Sequence, residues 1–285
     1  IKKTQPFVTP KAPEIQYRNE LYKLIRAMCK EYKDVISIYR EKKDQLAMDA
    51  DGVWLTTAET TKLESLGATW AKRFQEFAKQ YSPKYVKNIL RMSNTQIKSM
   101  MRDWFSDKRL ELFGSVIPTD LRQIVNANVA YNVTLISDIP KLYHYRVYGS
   151  IMRSITGGGS LKQLTLEIMR YGNRSLKQAK LVARDQTAKV YNSITLYNCK
   201  RLGVKKMQWI HSHGDKEPRP FHIRQWDGKS SPQNPNGLDG LIFDIDNPPL
   251  IQREEVRNGK KIPEVYGYPK KLYGCTCLMA AVIDT

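Results

Sequence analysis

Cysteine is scarce in this chain: Cys29, Cys199, Cys275 and Cys277 are all that 285 residues contain. Four thiols are too few for a disulfide scaffold of this size, and a reducing cytoplasm is the expected compartment during folding. Long apolar runs are missing too. The longest, residues 277–283, falls far short of the roughly 20 needed to span a bilayer, so no membrane partner is expected. The opening residues are Pro-rich and hold no apolar stretch of signal-peptide type. The chain starts at Ile1 without a methionine, from which a trimmed or processed N-terminus is expected. Negative charge is the largest deficit. Asp and Glu total 28 against 47 Lys and Arg, a formal net charge of +19. The excess is no detachable tail, because residues 1–160 hold 26 basic and 16 acidic side chains and residues 161–285 hold 21 and 12. A folded chain carrying such charge in both halves calls for a polyanionic neighbour, nucleic acid first among them.

What is present is enough for a core: 41% hydrophobic residues, 10% of all residues being aromatic. Residues 1–13 read as an extended arm. From 14 to 45 there is neither Gly nor Pro, and Tyr17, Leu21, Leu24, Ile25, Met28, Tyr32, Val35, Ile36 and Tyr39 recur in steps that define one helical face. A second helix is expected from Thr56, with Glu59 completing a capping box, and Ser82-Pro83 reads as a stop and a new start. Pro118-Thr119 opens a further helix that Pro140 is expected to close or kink. The Gly157-Gly158-Gly159-Ser160 run lacks the Gly-Lys-Ser/Thr of a phosphate loop and reads as a joint. Helices over 160–171 and 175–202 follow, the latter capped by Gly203. Beyond it, residues 204–210 and 277–283 read as strands around a stretch rich in Pro, Gly, Asn and Asp. The expected class is therefore α+β: a mainly helical N-terminal two thirds, then a compact α+β domain containing a small antiparallel sheet.

Chemistry-bearing residues concentrate near the C-terminus. His211, His213, Asp215, Arg219 and His222 fall within twelve positions, and Cys275-Thr276-Cys277 follows Gly274, where a turn is expected to bring the thiols together. With His222, and His213 or Asp215, the two cysteines make a four-ligand set of the kind zinc takes. The His211-His213-Asp215-His222 cluster also suits a metal-dependent phosphodiesterase. A third arrangement competes with both. Arg219 lies four residues after Asp215 and three before His222, so one helical turn would join them in a structural clasp beside Trp209. The clasp is the preferred reading, because a loop-rich domain needs internal anchors and no catalytic group is then required. Cys29 and Cys199 sit on apolar helix faces and are expected to pack in the core. The Asp239, Asp244 and Asp246 group reads as a solvated loop rather than a hard-cation site.

Trp209, Asp215, Arg219, His222, Gly228 and Cys275-x-Cys277 form an ordered series. It resembles the C-terminal domain of the Mu F-like phage minor head (head morphogenesis) proteins, whose pattern is W…D-x-x-x-R-x-x-H…G…C-x-C. Ala183-Arg184-Asp185-Gln186-Thr187 and Leu202-Gly203-Val204 match the preceding helix, and residues 132–140 and 17–21 look like the family's N-terminal half. One departure is Thr276, where the family often carries a basic residue between the cysteines. The resemblance implies a helical portal and assembly domain over 1–137 and a Mu F-like domain over 138–285. It also implies a low-copy virion protein of the capsid interior at the portal vertex. The implied partners are the portal protein and packaged double-stranded DNA, with scaffold or major capsid protein as further candidates. No catalytic activity is implied.

Overall fold

In the computed structural model the described residues are 2–46, 57–106, 110, 117–156, 161–212, 222, 237–252, 254–257, 259–272 and 275–283. Among them, four long helices and eight short strands follow in order: β1 (Lys2–Lys3), α1 (Lys11–Leu46), α2 (Thr57–Met101), α3 (Thr119–Thr156), α4 (Leu161–Arg201), β2 (Lys206–Ile210), β3 (Ile242–Asp244), β4 (Leu250–Gln252), β5 (Glu255–Arg257), β6 (Lys260–Ile262), β7 (Val265–Tyr266) and β8 (Leu278–Ile283). The helices fill the first two thirds and the sheets the last, the α+β class expected from the sequence.

The chain divides into two compact units. One comprises residues 12–85 and 127–183; the other comprises 1–11, 86–126 and 184–285. Helices α2, α3 and α4 each give a segment to both, whereas the expected division at 137/138 is a single cut along the chain.

The first unit is helical. Tyr17, Leu21, Ile25, Met28 and Tyr32 of α1 are fully buried, at the spacing read from the sequence. Polar tips on this face find partners: Tyr17 donates to Asn132 Oδ1 at 3.0 Å, and the Tyr32 hydroxyl meets His144 Nδ1 at 2.7 Å. Gly67 makes room for that histidine, since a Cβ there would lie 2.5 Å from His144 Nδ1.

Three expected helix breaks do not occur. Pro83 and Pro140 lie inside continuous helices, and α4 runs without interruption through Tyr171-Gly172-Asn173. A proline inside a helix costs about 3 kcal/mol. Burial offsets it: Tyr85 and Ile89 continue the face after Pro83, and Tyr143 and Val147 continue the face after Pro140. Gly172 serves packing rather than termination, because a Cβ on it would stand 3.0 Å from Cys29 Sγ.

The second unit carries the sheets. Segments 86–101 and 184–201 run antiparallel and are joined by polar pairs: Ser93 with Thr195 at 3.0 Å, Asn198 with Asn94 at 2.7 Å, and Tyr191 with Gln96. Helix α4 ends as the sequence indicates. Gly203 has φ of 85°, its N–H bonds Lys200 O at 2.9 Å, and Val204 N–H bonds Cys199 O at 3.0 Å, a Schellman cap. The chain turns there into β2, and the four-stranded antiparallel sheet has the order β1-β8-β2-β3. Two further antiparallel pairs, β4-β7 and β5-β6, complete the described strands.

The Pro-rich arm is non-helical over residues 2–10, whereas residues 11–13, also expected in the arm, already belong to α1; residues 2–7 are held by the chain's own sheet. Lys2 and Lys3 pair with Ile283 and Val282, Thr4 N–H bonds Ala281 O, Phe7 N–H bonds Met279 O, and Phe7 is buried.

Candidate metal centre

The β2–β8 ladder pairs Lys206 with Val282 and proceeds in strict register to Ile210 with Leu278. Strand side chains alternate, so Trp209 and its partner Met279 share the buried face. Beyond the ladder the two segments stay together, with Ser212 Oγ 2.6 Å from Thr276 Oγ1. His211 Nδ1 lies 3.5 Å from Cys277 Sγ, on the same face as Trp209. The 211 backbone is pinned by Asp239, whose Oδ1 accepts the His211 N–H at 2.8 Å.

His222 reaches this point from the long connection between β2 and β3. Its Nδ1 stands 3.7 Å from Cys275 Sγ and 3.6 Å from Cys277 Sγ. Its Nε2 lies 3.1 Å from the carbonyl of Ile251 in β4. A carbonyl only accepts, so Nε2 carries a proton, and Nδ1 is the nitrogen that faces the sulfurs. Trp209 meets the imidazole edge-on at 5.2 Å between ring centres. Ligand atoms of His222, Cys275 and Cys277 all lie within 4.8 Å of one another, and all three residues are buried.

The thiols owe their convergence to extended geometry as much as to the expected turn. Positions i and i+2 of an extended segment face one side, and just before β8 the burial alternates in that way, Cys275 and Cys277 being buried and Thr276 between them half-buried. The turn is present as well, through Cys275 N–H to Leu272 O at 3.1 Å. Lys270, at φ of 68°, directs its backbone N–H to Cys275 Sγ at 3.4 Å. The Cys275 thiol is held well below its ordinary pKa, first by its hydrogen bond with Cys277 and then, against the cost of burial, by His222. Burial pulls the Lys270 ammonium down to about 8, with Cys275 opposing that shift. Its Nζ bonds Thr9 of the arm and lies 5.7 Å over the Tyr191 ring.

Nδ1 has a single site for a partner and cannot serve two sulfurs at once. A cation accepted by all three atoms uses each donor once, and thiolate sulfur with imidazole nitrogen is the set that suits zinc. The hydrogen bond on Nε2 and the amide on Cys275 are the outer partners such ligands take. Burial of the whole group matches a closed structural site rather than one open to substrate.

Five sequence-predicted residues therefore meet here: Trp209, His211, His222, Cys275 and Cys277. His213, Asp215, Arg219 and Gly228 lie outside the described residues, and with them the Asp215–Arg219 half of the clasp. His222 is engaged by Ile251, Trp209 and the sulfurs. Cys199 is buried as expected, its pKa raised to about 12 by burial, while Cys29 is only half-buried. Among the aspartates, Asp244 accepts the Asp246 N–H at 2.7 Å and Asp246 pairs with Lys200 at 2.6 Å. The anchoring role of Asp239 was not anticipated. No sequence signal marks it, since the loop position that brings it to His211 is set by β3 pairing with β2.

No family model matches the chain, and no solved structure does. Among curated proteins, a Haemophilus influenzae (strain Rd) protein described as uncharacterized is 27% identical over 165 residues. The match covers 58% of this chain and 31% of that protein, so the chain spans about a third of the relative's length. No helix among the described residues is long and apolar enough to cross a membrane.

Proposed function

We propose that the chain is a structural and assembly protein of a tailed-phage head, acting inside the capsid at the portal vertex and touching packaged DNA without sequence preference. The observation that carries this reading is the meeting of Trp209, His222, Cys275 and Cys277 at one buried point. These are the residues whose order resembles the Mu F-like pattern, and they come from stretches more than fifty residues apart. In this reading their role is architectural. They fix a domain of short strands and long connections, with zinc as the ion bound by the two thiolates and His222 Nδ1. The portal protein and double-stranded DNA are the principal partners, and scaffold or major capsid protein are further ones.

The second reading, a metal-dependent phosphodiesterase built on His211, His213, Asp215 and His222, is the weaker. His211 and His222 are 4% and 2% exposed, and a phosphodiester needs an open coordination position.

Reconstruction of particles from the phage or prophage encoding the chain tests the proposal. Density for this chain on the inner face of the portal vertex is expected. Heads that lack the chain altogether overturn it. Double-stranded DNA incubated with the protein and divalent metal should stay intact; cleavage that a chelator abolishes would install the second reading.

A further inference from the structure

Three ligand atoms leave a tetrahedral ion one short, and the notion of His213 as the fourth rests on spacing alone. We propose that His211 supplies the fourth ligand, through Nδ1, making a Cys2His2 zinc centre of His211, His222, Cys275 and Cys277. The inference rests on the metal reading above and goes beyond it in naming the residue that closes the site.

The first support is length. With Zn–S near 2.3 Å and Zn–N near 2.0–2.1 Å, the N···S edge of a tetrahedron is about 3.5–3.6 Å. Of the four N···S edges such a centre has, three are close here: 3.5 Å for His211 with Cys277, 3.6 Å for His222 with Cys277 and 3.7 Å for His222 with Cys275. Each is an edge of the required size. His211 already shares one such edge, with Cys277, and stands beside the compact group of three rather than within it. In the proposed centre His211 turns about its side-chain torsions to close the others.

The second support is register. Continuing the β2–β8 ladder by one pair sets His211 opposite Cys277, and the Ser212–Thr276 bond shows that the two segments remain together past that pair. Opposite residues of an antiparallel pair project to the same face with Cβ atoms about 4.5–5.5 Å apart. An imidazole placed there lies on the same face as the Cys277 sulfur. The third support is fixation: the 211 backbone is bonded to Asp239 Oδ1, so the histidine cannot be withdrawn without breaking that bond. Burial of the ring to 4% exposure removes water as a competitor for its nitrogens.

Zinc-edge X-ray absorption on the full chain counts ligands directly. Two sulfur and two imidazole neighbours are expected for the wild type, one imidazole for His211→Ala, and two again for His213→Ala. Zinc affinity, read by competition with a chromophoric chelator, should fall at least tenfold for His211→Ala and be unchanged for His213→Ala. If His213→Ala is the variant that loses an imidazole, or if neither does, His211 is not a ligand although zinc is bound. A wild-type spectrum with a single imidazole overturns the proposal even if His211→Ala fails to fold. A wild-type chain that binds no zinc removes both this inference and the metal reading beneath it.

Discussion

His222 uses its two nitrogens for two tasks, one fixed by the Ile251 carbonyl and one facing two sulfurs. That division makes its substitution informative. His222→Ala deletes a ligand in the zinc reading, and in either case it leaves the buried Ile251 carbonyl without this partner, a loss worth about 1–3 kcal/mol before any metal is counted. The Cys275→Ser/Cys277→Ser double variant keeps nearly the same volume and removes only the two thiols. In the zinc reading, both variants should lose bound metal by elemental analysis and melt at lower temperature than wild type. Chelator should bring the wild type down to the level of the double variant. A double variant with unchanged metal content and melting temperature would return the thiols to the role of small core residues. Trp209, fully buried against the ring of His222, gives a control without a ligand. Trp209→Ala should cost about 3–5 kcal/mol by thermal denaturation while leaving one zinc per chain in whatever fraction remains folded.

At the scale of elements, the N-terminal arm and strand β8 are one device. Residues 2–7 cover the outer edge of β8, a six-residue strand of Leu, Met, Ala, Ala, Val and Ile that follows directly on Cys277. An uncovered apolar edge is a template for pairing with another chain. Removing residues 1–10 should therefore lower the melting temperature and produce self-association visible by light scattering. Phe7→Ala, which keeps the backbone pairing, should destabilise without that association. A monomeric, equally stable truncation would mean that the arm does not guard the edge. The same scale explains the missed helix boundaries. Pro83, Pro140 and Gly172 are local breakers in the sequence, but each lies in a helix whose buried face continues on both sides, and that burial outweighs the local penalty.

For the whole molecule, the dominant property is the charge of +19. Ion pairs within the chain leave that excess unchanged, because it already counts every acidic side chain. Those formed by Lys23, Arg73, Lys141, Arg153 and Lys261 are exposed contacts of the kind worth about 0–1 kcal/mol each. In the proposed role this surface meets phosphate. Neutralising Z phosphates gives a log–log salt slope near −0.9Z, so about six contacts should weaken binding about a thousandfold between 50 and 200 mM salt. Titration of labelled duplexes of unrelated sequence across that range should give one steep common slope. A flat salt dependence, or a strong preference for one sequence, would contradict nonspecific contact with packaged DNA.

The sequence alone determined the helical register, the class, and the boundary at Gly203, because each is written in local periodicity or in a residue with a particular backbone freedom. Tyr17, Leu21, Ile25, Met28 and Tyr32 mark a buried face wherever α1 is placed, and Gly203 caps α4 whatever follows. It also named His222, Cys275 and Cys277 as a set, since few side chains bind soft metals and these lie in one half of the chain. Tertiary structure alone decided that these three meet, that Ile251 and Lys270 orient them, and that His211 stands opposite Cys277. Those facts depend on strand pairing between residues some seventy positions apart. A contact of that range has no local signal; it exists only when the ladder brings both segments to one face.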